Sequence, residues 1–141
     1  MNERLSSEEK TIYNKIHIRR ELGFALGALN KGLLLLPGSD STQYDLDSIP
    51  SKIGYAIRTI LTSDKNELQA VLHKEVRPQG EINRISFKHT DGLGVNTDVT
   101  ITTFRDSSSP TPIYLEAEIA PANFTDPSQI RKYQLGRRDT V

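Results

Sequence analysis

The sequence contains no cysteine. Disulfides, thiolate zinc sites, iron–sulfur clusters and cysteine nucleophiles are therefore excluded. It also lacks an excess of either charge. Eighteen basic side chains balance eighteen acidic ones, so the global basic character that nucleic-acid binding draws on is missing, and no nucleic-acid partner is expected. Near-neutrality also leaves association with copies or partners unopposed by self-repulsion. Long apolar runs are missing too. The longest, from Leu22 to Leu36, is broken by Asn30 and Lys31 and is too short to span a bilayer comfortably. The first ten residues are polar and acidic and do not read as a secretory leader. These features predict a soluble chain without a membrane partner, in the cytoplasm or in a particle assembled there.

The length is 141 residues with 35% hydrophobic content. One α+β domain over 1–141 is the expectation, with a modest core. Ser6 and Glu9 have capping-box spacing, and Ile12, Ile16, Arg19 or Arg20, Gly23 and Leu26 then recur at helical intervals, with Ile18, Leu22, Ala25 and Leu29 beside them. This predicts a long N-terminal helix over 1–36. Gly23, Gly27 and Gly32 lower its propensity, and their expected use is close packing against another element. Pro37-Gly38 breaks the pattern, and 39–48 reads as a polar loop. Pro50 suits a helix start, and Ile53, Ile57, Ile60 and Leu61 form one stripe. A restart at Ser63-Asp64, with Leu68, Val71 and Leu72 inward, extends the helical reading over 50–76. Pro78-Gln79-Gly80 ends it.

The period then changes to two. Strands are predicted within 81–120, the first over 81–89 and the second over 95–104. A Gly-rich hairpin over 90–94 joins them. The third runs over 112–120, with Leu115 and Ala117 inward and Tyr114, Glu116 and Glu118 outward. Asp126-Pro127-Ser128 marks a short C-terminal helix over 127–136. The sum is an α+β domain of N-terminal helices packed on a small antiparallel three-stranded meander.

Two constellations bear on function. Asp98, Glu116 and Glu118 fall on the polar face if the second and third strands pair, and three carboxylates there can hold magnesium or manganese. Asp98, then Glu116-Ala117-Glu118, then the segment Gln129 to Tyr133, resembles the PD-(D/E)xK nuclease pattern, with Glu118 standing where that pattern has its lysine. Alternation alone also puts carboxylates on a solvated sheet face. His17, His73 and His89 lie on separate elements without metal-pair spacing, and no Gly-x-Ser-x-Gly elbow or phosphate loop occurs. No cofactor site and no metal site is read.

The second constellation is the glycine-notched first helix. Gly23 and Gly27 have the small-xxx-small spacing that lets helices approach closely. Ile16, Gly23, Gly27 and Leu33 are the expected partner contacts. Glu75-Val76-Arg77-Pro78 followed by Ile82 to Phe87, a turn and Val95 to Phe104 resembles the baseplate-wedge family of contractile-tail phages and related injection systems, over about Ile53 to Phe104. That resemblance implies a non-catalytic structural subunit of a phage tail or baseplate. Its first helix would bundle with helices of other subunits. A degenerate metal-dependent nuclease using Asp98, Glu116 and Glu118 is the alternative.

Overall fold

The computed structural model describes residues 8–36, 48–62, 70–90, 94, 96–106, 112–121 and 125–136. The expected polar loop over 39–48, the restart at Ser63-Asp64, Pro37-Gly38 and most of the 90–94 hairpin lie outside the described residues.

Strand β1 (Glu8–Ile12) leads into helix α1 (Lys15–Asn30), the two-residue strand β2 (Leu34–Leu35) and helix α2 (Ser48–Leu61). Strands β3 (Ala70–Arg77), β4 (Gly80–Thr90), β5 (Asn96–Asp106), β6 (Tyr114–Pro121) and β7 (Arg131–Gly136) follow. They form one antiparallel sheet in the order β1-β3-β4-β5-β6-β7-β2. The last five strands are a meander. The two N-terminal strands flank it, one at each edge.

This overturns the expected three-stranded meander and three of its boundaries. Residues 1–36 are not one helix. The Ser6–Glu9 capping box does not start α1, because Glu9 lies in β1. Asn14 is the cap, and its side chain accepts from the His17 backbone N–H at 3.1 Å. Residues 50–76 are not helical throughout. Helix α2 ends at Leu61, and Val71 and Leu72 belong to β3. Residues 127–136 are not a helix. Asp126 caps a single 3₁₀ turn, Pro127–Gln129, through the Ser128 backbone N–H at 3.0 Å, and β7 follows.

Both helices lie on the same face of the sheet. The buried side of α1 is Ile18, Leu22, Ala25, Ala28 and Leu29, and that of α2 is Ile53, Ala56 and Ile57. They meet Leu72, Ile85, Phe87, Val99, Ile101, Leu115, Ala117, Tyr133 and Leu135 from the sheet in one cluster. The two helices cross closely at Gly54. A Cβ there would stand 3.6 Å from Leu26 and 3.9 Å from Leu29. Burying each such aliphatic side chain contributes about 1.5–3 kcal/mol before the entropy of ordering it is subtracted.

Pro78 and Gln79 turn β3 into β4, so the expected helix stop is a hairpin. Gly80 stands opposite Asp106 with φ +155. A Cβ at Gly80 would collide with the carbonyl oxygen of Arg105 and stand 2.8 Å from the Asp106 Cα. Only glycine lets the two strands approach this closely. Gly80→Ala is therefore expected to cost at least about 1–3 kcal/mol in backbone strain. The check is a lower urea midpoint with an unchanged slope.

Candidate functional site

Alternation along a strand fixes which residues share a face, and the registers align them across strands. Three places result. They are a charged cluster between α1 and the sheet, the carboxylates of the open sheet face, and the outward stripe of α1.

The charged cluster was not read from the sequence. Glu21 sits on the core side of α1, between Ile18 and Ala25, and is 1% exposed. Arg105 continues the inward series Val99, Ile101, Thr103 along β5, and Glu81 is its cross-strand partner on β4. The Arg105 Nη2 donates to Glu21 Oε1 at 2.9 Å and to Glu81 Oε2 at 2.6 Å. Its guanidinium carbon also lies 4.8 Å from the centre of the Phe24 ring. Lys74 of β3 approaches Glu81 Oε2 at 3.4 Å. Arg105 thus ties α1 to two adjacent strands. The signal was present, because Glu21 occupies an apolar-stripe position and Arg105 an inward strand position.

His17 caps this cluster. Its Nε2 lies 3.3 Å from Arg20 Nη2 and 3.5 Å from Lys74 Nζ. Burial lowers the His17 pKa below the usual 6.5, and the nearby Arg20 and Lys74 cations add to the effect. Burial raises that of Glu21, against the attraction of Arg105. Asn83, one inward position along β4 from Glu81, is fully buried, and neither side-chain amide atom has a hydrogen-bond partner among the described residues. Glu21 Oε2 and Arg105 Nε share that condition.

The three carboxylates do share the open face of the sheet, as strand pairing required. Thr100 pairs with Glu118 and Thr102 with Glu116, while Asp98 pairs with Ala120. Their arrangement is not a metal cradle. Lys132 of β7 sits 3.7 Å from Glu116 and 3.8 Å from Glu118. Glu116 also accepts from the Tyr114 hydroxyl at 3.2 Å and from Gln134 at 3.1 Å. Burial and Glu116 together push the Tyr114 pKa up to about 12. Among the described residues no three His, Asp or Glu side chains converge to hold a metal ion.

The expected partner contacts divide. Leu33 is buried in the core. Ile16 is 81% exposed, and among the described residues nothing stands within 4 Å of a Cβ built at Gly23 or Gly27. At about 100° per residue, Ile16, Gly23 and Gly27 fall within an arc of about 40°, diametrically opposite the buried face of α1. Tyr13, just before the helix, is 73% exposed.

Compared with protein-family models, curated proteins and solved structures, the chain matches none. No helix among the described residues is long and apolar enough to cross a membrane.

Two outcomes are expected for the charged cluster. Arg105→Met leaves buried Glu21 with only the more distant Arg20, 3.8 Å away, and destabilises by about 3–5 kcal/mol, whereas Glu21→Gln, which removes a costly buried charge, costs less. Paired urea titrations of the two variants measure this. The His17 contribution follows from its lowered pKa. Just below pH 6.5 the unfolded chain takes up a proton that folded His17 resists, so stability is full above that pH and falls as pH drops through it. His17→Gln should flatten that limb of a stability–pH curve.

Proposed function

We propose that the chain is a non-catalytic structural subunit of a larger protein assembly, such as the phage tail or baseplate that the sequence resemblance implies. The observation that supports this reading is the outward stripe of α1. A soluble helix ordinarily presents polar residues on the side away from its core. This one presents Ile16, Gly23 and Gly27 there, with Tyr13 beside them. Two glycines one turn apart make a notch into which a second helix backbone fits closely. Arg19 and Arg20 border the notch, so the helix that fits it carries small or apolar residues flanked by carboxylates.

The partner is accordingly a helix of a neighbouring subunit, docked along α1 on the side away from the sheet. Leu33 supports the domain from within instead of reaching that partner. The charged cluster holds α1 in the rotation that points the stripe outward.

Gly23→Leu tests the reading because it separates folding from association. Leucine is the better helix former and its Cβ meets no described neighbour within 4 Å, so the isolated chain should gain about 0.5–1 kcal/mol. The filled notch should abolish co-sedimentation with the particle proteins that accompany the wild-type chain from its native source. Ile16→Glu should do the same without changing the thermal midpoint. Particle association that survives both substitutions, or a wild-type chain that sediments alone, would overturn the proposal.

A further inference from the structure

The bridge that holds α1 to the sheet leaves some of its own polar atoms unused. Glu21 and Arg105 meet through one oxygen and one nitrogen, Oε1 and Nη2, at 2.9 Å. The other carboxylate oxygen, Glu21 Oε2, and the other inward nitrogen, Arg105 Nε, have no hydrogen-bond partner among the described residues. Neither atom of the Asn83 amide has one either. All four atoms are sealed from solvent, with Glu21 1% exposed and Asn83 not at all.

Strand register gathers these groups. Arg105 stands opposite Glu81, and Asn83 is the next inward residue along β4. Asn83 and Arg105 are therefore diagonal neighbours on one face of adjacent strands, a spacing that long side chains span. Glu21 reaches Arg105 from α1. The residues directly opposite Asn83 are Lys74 and Thr103, and Lys74 turns to Glu81 and His17 instead.

The four atoms comprise two acceptors, Glu21 Oε2 and Asn83 Oδ1, and two donors, Asn83 Nδ2 and Arg105 Nε. An anion would answer only the donors and would meet the Glu21 carboxylate. A cation would answer only the acceptors and would meet the Arg105 guanidinium. Water both donates and accepts, and a buried water ordinarily makes two to four such bonds. Buried polar groups gathered in one place, yet not bonded to one another, are the kind that a water bridges.

We infer that Glu21, Asn83 and Arg105 hold an internal water between α1 and strands β4 and β5. The water extends the bridge, tying α1 to β4 through Asn83 as well as through Arg105 and Glu81. It leaves only when α1 lifts from the sheet, so it stays bound for longer than the domain takes to tumble. The site lies on the core side of α1, so the inference stands apart from the partner proposed for the outward stripe.

A crystal structure of the unaltered chain at atomic resolution tests this. It should show a water about 2.7–3.2 Å from the Asn83 amide and from Glu21 Oε2. Oxygen-17 relaxation dispersion gives a second reading in solution, because only waters held longer than the molecule tumbles contribute to it. Asn83→Leu removes one donor and one acceptor and should lower the count of such waters by one. Circular dichroism and a cooperative urea transition check that this variant is folded, and the wild-type density does not depend on it. Density that shows the Asn83 amide bonded directly to Glu21, or nothing between them, would overturn the inference. So would an ion in the site, or a dispersion amplitude that a folded Asn83→Leu leaves unchanged.

Discussion

The bridge from Glu21 through Arg105 to Glu81 fixes how the first helix lies on the sheet. Apolar packing alone tolerates sliding and rotation, because one aliphatic contact is worth nearly as much as the next. A buried carboxylate does not tolerate them. With Glu21 1% exposed, any rotation of α1 that withdraws it from Arg105 strands a charge in the interior. The bridge therefore converts a greasy contact into one with a single register. Since Arg105 also reaches Glu81, the reference point is shared by two strands, and the outward direction of Ile16, Gly23 and Gly27 follows from it.

The same residues explain what could and could not be read in the sequence. The core side of α1 was legible because Ile18, Leu22, Ala25 and Leu29 keep a helical period. The β5 and β6 alternations were legible because Val99, Ile101, Leu115 and Ala117 alternate with polar neighbours. Strand β3 was not. Its inward series contains Lys74, its outward series contains Val71, and Leu68, Val71 and Leu72 imitate a helical stripe. The ion cluster that orders the fold thus erased the period that would have announced it. Strand β1 was hidden for another reason. Glu8–Ile12 carries little strand character of its own and is made a strand by β3, far along the chain. Strand β7 resembled a helix because Ile130 and Tyr133 are three apart, while the pair that matters, Tyr133 and Leu135, is two apart.

The candidate sites were legible in composition and not in geometry. The sequence correctly put Asp98, Glu116 and Glu118 on one face, yet gave no sign that Lys132 would come to lie between two of them from a strand mistaken for a helix. It singled out Ile16, Gly23 and Gly27 by spacing, and only the fold separates them from Leu33, which points into the core. Asn83 is the least legible of all. A buried amide with no hydrogen-bond partner among the described residues has no sequence signature, since the same residue at an outward position would be unremarkable.

Strands β1 and β2 sit at opposite edges of the sheet, although they flank the same helix in sequence. That placement sets an order of assembly. Ribosomes deliver α1 and α2 first, with their apolar sides bare, and the surface that covers them is the meander made afterwards. Strand β2 has no partner until β7 exists, and β1 has none until β3 does. The meander closes through neighbouring hairpins and needs only short loops, so it is the fast event; the two edges are sealed by distant pairings that must follow it. Until the meander forms, the apolar sides of both helices thus lack the sheet residues that bury them in the folded domain.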